Sequence, residues 1–367
     1  MMFGAAIVIV ALVYFLYWLL AERFTETTDD AYVAGNIVAV TSRENATVTT
    51  LYADNTQQVA RGQLLVEMDP AMADVTLRAA EANLARTVRA VRGAFASASS
   101  YEAQLAHAQV QLAQARADYQ RRQSALAGAV SGEEVGHARD AVQAAEAAVN
   151  AARGGLLQAQ SAISGADIAH NPDVLAAAAQ LRAAAIALAH MRVVAPVDGV
   201  VAQRSAQVGQ RVAAGAPLMA VVPLSAVWVD ANFKEGQLSR MRIGQPVLVR
   251  TDLYGGSVAY HGHIAGLGAG SGSAFAVLPP QNASGNWIKI VQRVPVRIAL
   301  DPAELKDHPL RIGLSVSASV DVRDQSGPQV ASTSVSGVMH GDTGEDTEAK
   351  VNALIARILA DNGVKAP

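Results

Sequence analysis

The sequence predicts an elongated, multi-domain α+β fold: an N-terminal transmembrane helix, a split β-sandwich, a long antiparallel α-helical coiled-coil hairpin and a small antiparallel β-barrel. Three observations predict it. The chain opens on an uncharged apolar run, two short segments repeat each other without a gap, and the 121-residue insert 71–191 that lies between them carries a seven-residue apolar period.

The apolar run is Met2 to Ala21, MFGAAIVIVALVYFLYWLLA. A helix of that length spans about 30 Å, the thickness of the hydrocarbon core of a bilayer. Tyr14, Tyr17 and Trp18 fall toward its C-terminal end, where amphipathic rings suit the lipid–water boundary. A cleaved signal peptide fits less well, because the run is too long for an h-region and ends in aromatic residues and leucine without a small-x-small site. The outer flank carries Glu22, Arg23, Glu26, Asp29 and Asp30. No Lys or Arg precedes the run, so the positive-inside rule has little to act on. We expect a natural chain that starts earlier, with a short basic stub, and a main body outside the cytoplasm.

Ala46–Asp69 and Gly199–Val222 match at an offset of 153 residues, with identical pairs that include Val48/Val201, Val59/Val212, Ala60/Ala213, Gly62/Gly215 and Leu65/Leu218. Each reads as a strand, a turn, a short strand ending in V-A-x-G and a buried apolar strand. The glycine suits a turn that needs positive φ. Two such halves resemble the two sheets of a lipoyl or biotinyl carrier domain. In a carrier, the hairpin joining the halves bears a modified lysine. Here the join is the insert, which has no lysine, so no carrier cofactor is expected and the sandwich serves as a collar.

Alanine makes up 40 of the 121 insert residues, which favours helices pressed close together. Leu77, Leu84, Val91, Ala98, Leu105, Leu112, Tyr119 and Leu126 form a strict heptad, repeated by Val135, Val142, Val149, Leu156 and Ile163. That period marks a left-handed coiled coil. Flanking positions are mostly Ala, Gln and Arg, so each arm has a narrow seam. The arms turn at residues 126–132, where Ser131 and Glu134 form a capping box. Asp69 is expected as N-cap with Pro70 at the first helical position. The returning arm breaks between Gly165 and Pro172 and restarts under Asn171 or Asp173.

Short alternating strands follow at Val227–Asn232, Pro246–Thr251, Val258–Ile264, Trp287–Leu300 and Leu310–Val322, as in a small antiparallel barrel. Asp29–Val40 is expected to add one strand to it. Residues 324–345 read as a linker, and Glu348–Ala360 as an amphipathic helix with Val351, Leu354, Ile355, Ile358 and Leu359 on one face. The expected domains are 1–21 (anchor), 22–45 with 223–323 (barrel), 46–70 with 192–222 (sandwich), 71–191 (hairpin) and 324–367 (linker and tail).

Composition narrows the function. Net charge is −3, which argues against a nucleic-acid partner. There is no cysteine, so disulfides and thiolate chemistry are excluded. His261 and His263 share a strand face but lack further ligands, so no metal is expected. Gly266–Gly272 has no GK[ST] and no following helix, which rejects a phosphate loop. Asn232 to Glu235 read as a turn with a local ion pair. No catalytic constellation is legible, and the chain is expected not to be an enzyme.

Four stretches carry a family resemblance: TDDAYVAGN (Thr28–Asn36), WVDANFKEGQLSRMRIGQPV (Trp228–Val247), GSAFAVLPPQNASGNWIKIVQRVPVRI (Gly272–Ile298) and PLRIGL (Pro309–Leu314). With the split collar they resemble the membrane fusion proteins, or periplasmic adaptors, of the HlyD/EmrA kind, over most of residues 1–322. The resemblance implies a single-pass protein of the bacterial inner membrane, in contact with its lipid, with the N-terminus cytoplasmic and the bulk in the periplasm. It implies an inner-membrane major-facilitator drug:proton antiporter and a TolC-like outer-membrane channel as partners, and a homo-oligomer, trimer or hexamer. Adaptor tips often carry an Arg, Leu, Ser pattern, and Arg122, Leu126 and Ser131 are the candidates, with a Leu-to-Ser spacing two residues shorter than usual. Arg121 is the neighbouring candidate. Each has a plainer reading as well: solvated arginines, a seam leucine and a helix cap. An adaptor of a type I, ABC-driven secretion system is the alternative reading. A cofactor carrier is a third, which the missing lysine opposes.

Overall fold

The computed structural model describes residues 22–125, 130–163, 167–275, 290–330 and 345–364. The anchor with Tyr14, Tyr17 and Trp18, and Leu126 at the tip, lie outside the described residues. These residues form two compact units, one built of strands and one of long helices.

The strand unit contains a closed barrel of six antiparallel strands in the order β1-β10-β13-β12-β11-β14. They are β1 (Thr25–Ala34), β10 (Trp228–Lys234), β11 (Pro246–Thr251), β12 (Ala259–Leu267), β13 (Arg293–Leu300) and β14 (Ser315–Asp321). Alternation builds the core. In β10, Val229, Ala231 and Phe233 point inward, as do Val296, Ile298 and Leu300 in β13. Tyr260 is fully buried, its hydroxyl donating to the His308 carbonyl at 3.0 Å, and burial pushes its pKa up to about 12.

Strand β1 corrects one expectation. Asp29–Val40 is not a single barrel strand. The barrel keeps the part up to Ala34, and β2 (Val38–Thr41) pairs with β9 (Pro217–Val222) in a different sheet. The break falls at Gly35, where a Cβ would meet Ile312 Cδ1 at 3.0 Å, so a side chain there would crowd the barrel.

The sandwich has two four-stranded sheets, β2-β9-β7-β4 and β6-β5-β3-β8. The first repeat supplies β3 (Ala46–Leu51), β4 (Gln58–Val59) and β5 (Leu64–Met68); the second supplies β7 (Gly199–Arg204), β8 (Arg211–Val212) and β9, with β6 at Arg192–Val194 just before it. Each repeat lends its short strand to the other: β4 pairs with β7, and β8 with β3. The exchange is reciprocal bond by bond. Gly62 donates to the Ala195 carbonyl and Gly215 to that of Ser42, both at 2.8 Å. Thr56 donates to Val201 and Gly209 to Val48, again at 2.8 Å. Arg61 N–H bonds the Asp198 carboxylate as Ala214 N–H bonds Asn45 Oδ1. Residues 153 apart therefore make equivalent bonds, and neither half closes its sheet alone.

The helical unit begins with α1 (Ala71–Gln123), 53 residues and about 80 Å of helix. It returns as α2 (Gly132–Ile163) and α3 (Pro172–Ala189). Leu84, Val91 and Ala98 of the heptad are buried, and the outer heptad positions are half-buried. The start of α1 lies one residue later than expected: Pro70 is the N-cap and Ala71 the first helical residue, while Asp69 Oδ1 still accepts the Ala71 N–H at 3.0 Å. Asn171 is the N-cap of α3, accepting from the Asp173 N–H at 2.9 Å, with Pro172 at the first position. Among the described residues, α3 alone is long and apolar enough to cross a membrane by length and composition. Its Val174 and Leu181 are instead buried among helices, as in a packed bundle. A short helix, α4 (Pro302–Asp307), precedes β14, and α5 (Glu345–Asp361) packs against α1 and α3.

Candidate functional site: the hairpin tip and the barrel turns

At the tip, α1 ends with Arg121 and Arg122 in its last turn and α2 starts with Glu133 and Glu134 in its first. Both placements suit the helix dipole, cations at the C-terminus and anions at the N-terminus. One carboxylate, Asp118, holds both arginines: Arg122 Nε at 2.9 Å and Arg121 Nη2 at 3.3 Å. Arg121 is the more exposed of the two, at 73% against 40%. Ser124 closes α1, its N–H and its hydroxyl both donating to the Gln120 carbonyl.

Ser131 stands in a complete capping box. Its Oγ accepts the Glu134 N–H at 3.2 Å, and Glu134 Oε2 accepts the Ser131 N–H at 2.9 Å and its hydroxyl at 3.0 Å. Those bonds, the backbone one first, hold the Glu134 carboxyl below its usual range, and the nearby Arg122 charge adds to the effect. The serine that the sequence nominates for contact is thus committed to starting α2.

The barrel uses the acidic flank of β1. Glu26 pairs with Arg240, whose other nitrogen donates to the Arg23 carbonyl at 2.8 Å. Asp30 Oδ2 pairs with Arg293 at 2.5 Å, and Asp30 Oδ1 accepts from Asn232 at 3.3 Å. The turn after β10 is held by the Lys234 N–H on Gln237 Oε1 and the Glu235 N–H on the Gln292 carbonyl, not by an ion pair between Lys234 and Glu235. His261 bonds Glu304 at 2.7 Å. Among the described residues no group of three or more His, Asp or Glu could hold a metal ion.

Sequence reasoning missed the docking of α5. Its signal is the apolar face of Val351, Leu354, Ile355, Ile358 and Leu359, which needs a cover, while Asn362-Gly363-Val364 marks only where the helix ends.

Comparison with known proteins decides the family. Residues 72–190 match the model of the EMRA alpha-helical hairpin domain. The chain is 42% identical over 349 residues to the multidrug export protein EmrA of Escherichia coli K12, covering 95% of this chain and 90% of that protein. The chain belongs to the EmrA/HlyD family of periplasmic adaptors, the membrane fusion proteins of multidrug efflux systems. The fatty acid resistance protein FarA of Neisseria gonorrhoeae is 49% identical over 304 residues, 82% of this adaptor and 77% of its relative. A solved structure of the periplasmic adaptor protein EmrA aligns over 81% of this chain and 98% of its own, at 17% identity and a TM-score of 0.40. As an adaptor of this family the chain is a linking component between an inner-membrane transporter and an outer-membrane channel.

Proposed function

We propose that this adaptor is the periplasmic subunit of a tripartite multidrug efflux pump, joining a major-facilitator drug:proton antiporter to a TolC-like outer-membrane channel. The observation that carries the reading is the 42% identity to a multidrug export protein along 95% of the chain. Residues 1–21 are the single inner-membrane anchor, N-terminus cytoplasmic, with Tyr14, Tyr17 and Trp18 at the outer lipid boundary. The domain limits are those read from the sequence, except that residues 38–41 join the sandwich. The tip, with Arg122, Leu126 and Ser131, meets the channel, and the adaptor works as a trimer or hexamer. Reach supports this reading: about 80 Å of stiff coiled coil crosses an aqueous compartment with few residues.

Deletion of the gene, followed by a toxin-sensitivity profile, tests it. The panel includes lipophilic drugs, uncouplers and long-chain fatty acids, the last because of the relation to a fatty acid resistance protein. Sensitivity to at least one class, restored by the full chain and not by a chain lacking residues 72–190, is the expected result. Unchanged sensitivity throughout, or a deletion that instead blocks export of a protein through an ABC transporter, would overturn it.

A further inference from the structure

The C-terminal helix α5 meets the hairpin where its returning arm is broken. The joint, residues 167–171, is a turn closed by the His170 N–H on Asp167 Oδ1 at 2.8 Å and opened into α3 by the Asn171 cap. Ile168 and Ala169 of that joint belong to one apolar cluster with Leu84, Val88 and Val91 of α1, Val174 and Leu181 of α3, and Val351, Leu359 and Val364 of the tail.

The end of α5 is built to lock. Gly363 takes φ 76° and Val364 N–H returns to the Leu359 carbonyl at 3.0 Å, which is a Schellman turn. Val364 is buried beneath it. Helix C-termini leave carbonyls without partners and a partial negative charge. Two arginines of α1 answer both: Arg92 Nη1 bonds the Asn362 carbonyl and Arg89 Nη1 bonds Asn362 Oδ1, each at 3.1 Å. A Cβ on Gly363 would meet Arg92 Nη1 at 2.7 Å, the movable end of a long side chain, so it is the positive φ that calls for glycine here. Near the middle of α5, Arg182 of α3 bonds Asn352 Oδ1 at 2.8 Å.

We propose that the face formed by α1 and α3 is a helix-binding site, that its occupant is the chain's own residues 345–364, and that binding there fixes the joint in the returning arm. The tail bridges both arms beside the joint at residues 167–171, where the returning arm passes from α2 to α3. It thereby converts a hinge into a three-helix bundle.

Hydrogen exchange on the full-length protein in detergent micelles tests the proposal, with Leu359→Asp to unseat the apolar face and Arg92→Gln to remove only the bond at the helix end. Amides of residues 84–95 and 168–181 should exchange at least about tenfold faster in Leu359→Asp and about threefold faster in Arg92→Gln, while strands β10 and β13 keep their protection. A synthetic peptide of residues 345–367 added to Leu359→Asp should restore the slow rates. Unchanged exchange at both segments would overturn the proposal, as would equal loosening of the barrel, or a peptide without effect.

Discussion

Thr56 is the one described residue other than glycine at positive φ, 70°, and its repeat mate at an offset of 153 is Gly209, φ 82°. A β-branched residue there costs about 1–2 kcal/mol of strain, while glycine costs about 0.5–1 kcal/mol of extra unfolded-state entropy. Thr56→Gly should therefore stabilise the sandwich by about 0.5–1 kcal/mol, and Gly209→Ala should destabilise it by about 1 kcal/mol. Calorimetric transitions moving in opposite directions would show this; equal shifts would refute it. Beside Thr56, Asp54 accepts from Arg204 Nε at 2.9 Å. That bond first, then the Asn55 N–H and the arginine charge, hold the Asp54 carboxyl below its ordinary 3.8. A depressed carboxylate stabilises the fold above its unfolded pKa, and that contribution fades as pH falls through the folded value. An NMR titration of Asp54 should give a midpoint below 3.8 that moves up toward the ordinary value in Arg204→Gln but stays below it, because the Asn55 N–H bond remains. A midpoint that ignores the substitution would remove Arg204 as the cause.

Among the elements, the hairpin is held unevenly along its length. Leu84 and Leu181 are fully buried in the cluster shared with the tail, whereas Leu105 and Leu112 farther along are half-buried between two helices only. Leu84→Ala should cost about 2–5 kcal/mol, and Leu105→Ala distinctly less, since its surroundings are partly solvent already. Helical circular dichroism on heating would separate them, and equal losses would contradict a graded seam. The heptad, the alternating barrel strands and the gapless repeat were all legible, because each is a period written in residue type. Four features were not. Exchange of β4 and β8 between the halves depends on which edge each short strand meets, and two residues of pattern cannot say. The division of residues 29–40 falls at Gly35, where a side chain would crowd Ile312, more than 270 positions away in sequence. The amphipathic face of α5 announced that something covers it, but only Arg89 and Arg92 on Asn362 name the partner. At the tip, the sequence found the capping box at Ser131 and Glu134, yet not that Asp118 engages both arginines.

For the whole molecule, the exposed apolar residues on the long arms set an expectation about assembly. Val110 on α1 and Leu157 on α2 are 57% and 61% exposed, well beyond the cluster that the tail covers. Isolated exposed apolar residues are ordinary on any surface, but a two-helix coiled coil with a narrow seam gains most by adding neighbours along its sides. Contacts between unlike flanks of identical chains close into rings, whereas contacts between like flanks stop at dimers. The chain has no cysteine, so introduced thiols report without background. A Val110→Cys, Leu157→Cys double variant treated with a bismaleimide in native membranes should give a ladder that ends at three or six chains. Each single variant should stay monomeric, because its one thiol faces a flank of the neighbour that carries none. Single variants that give dimers, with a double variant that stops at two, would mean that the arms pair through like flanks, and a ring of hairpins would be ruled out. A double variant that stays monomeric, with both thiols shown to be reactive, would place the oligomer contacts elsewhere, and the narrow seam would then rest on the tail helix and the partner proteins.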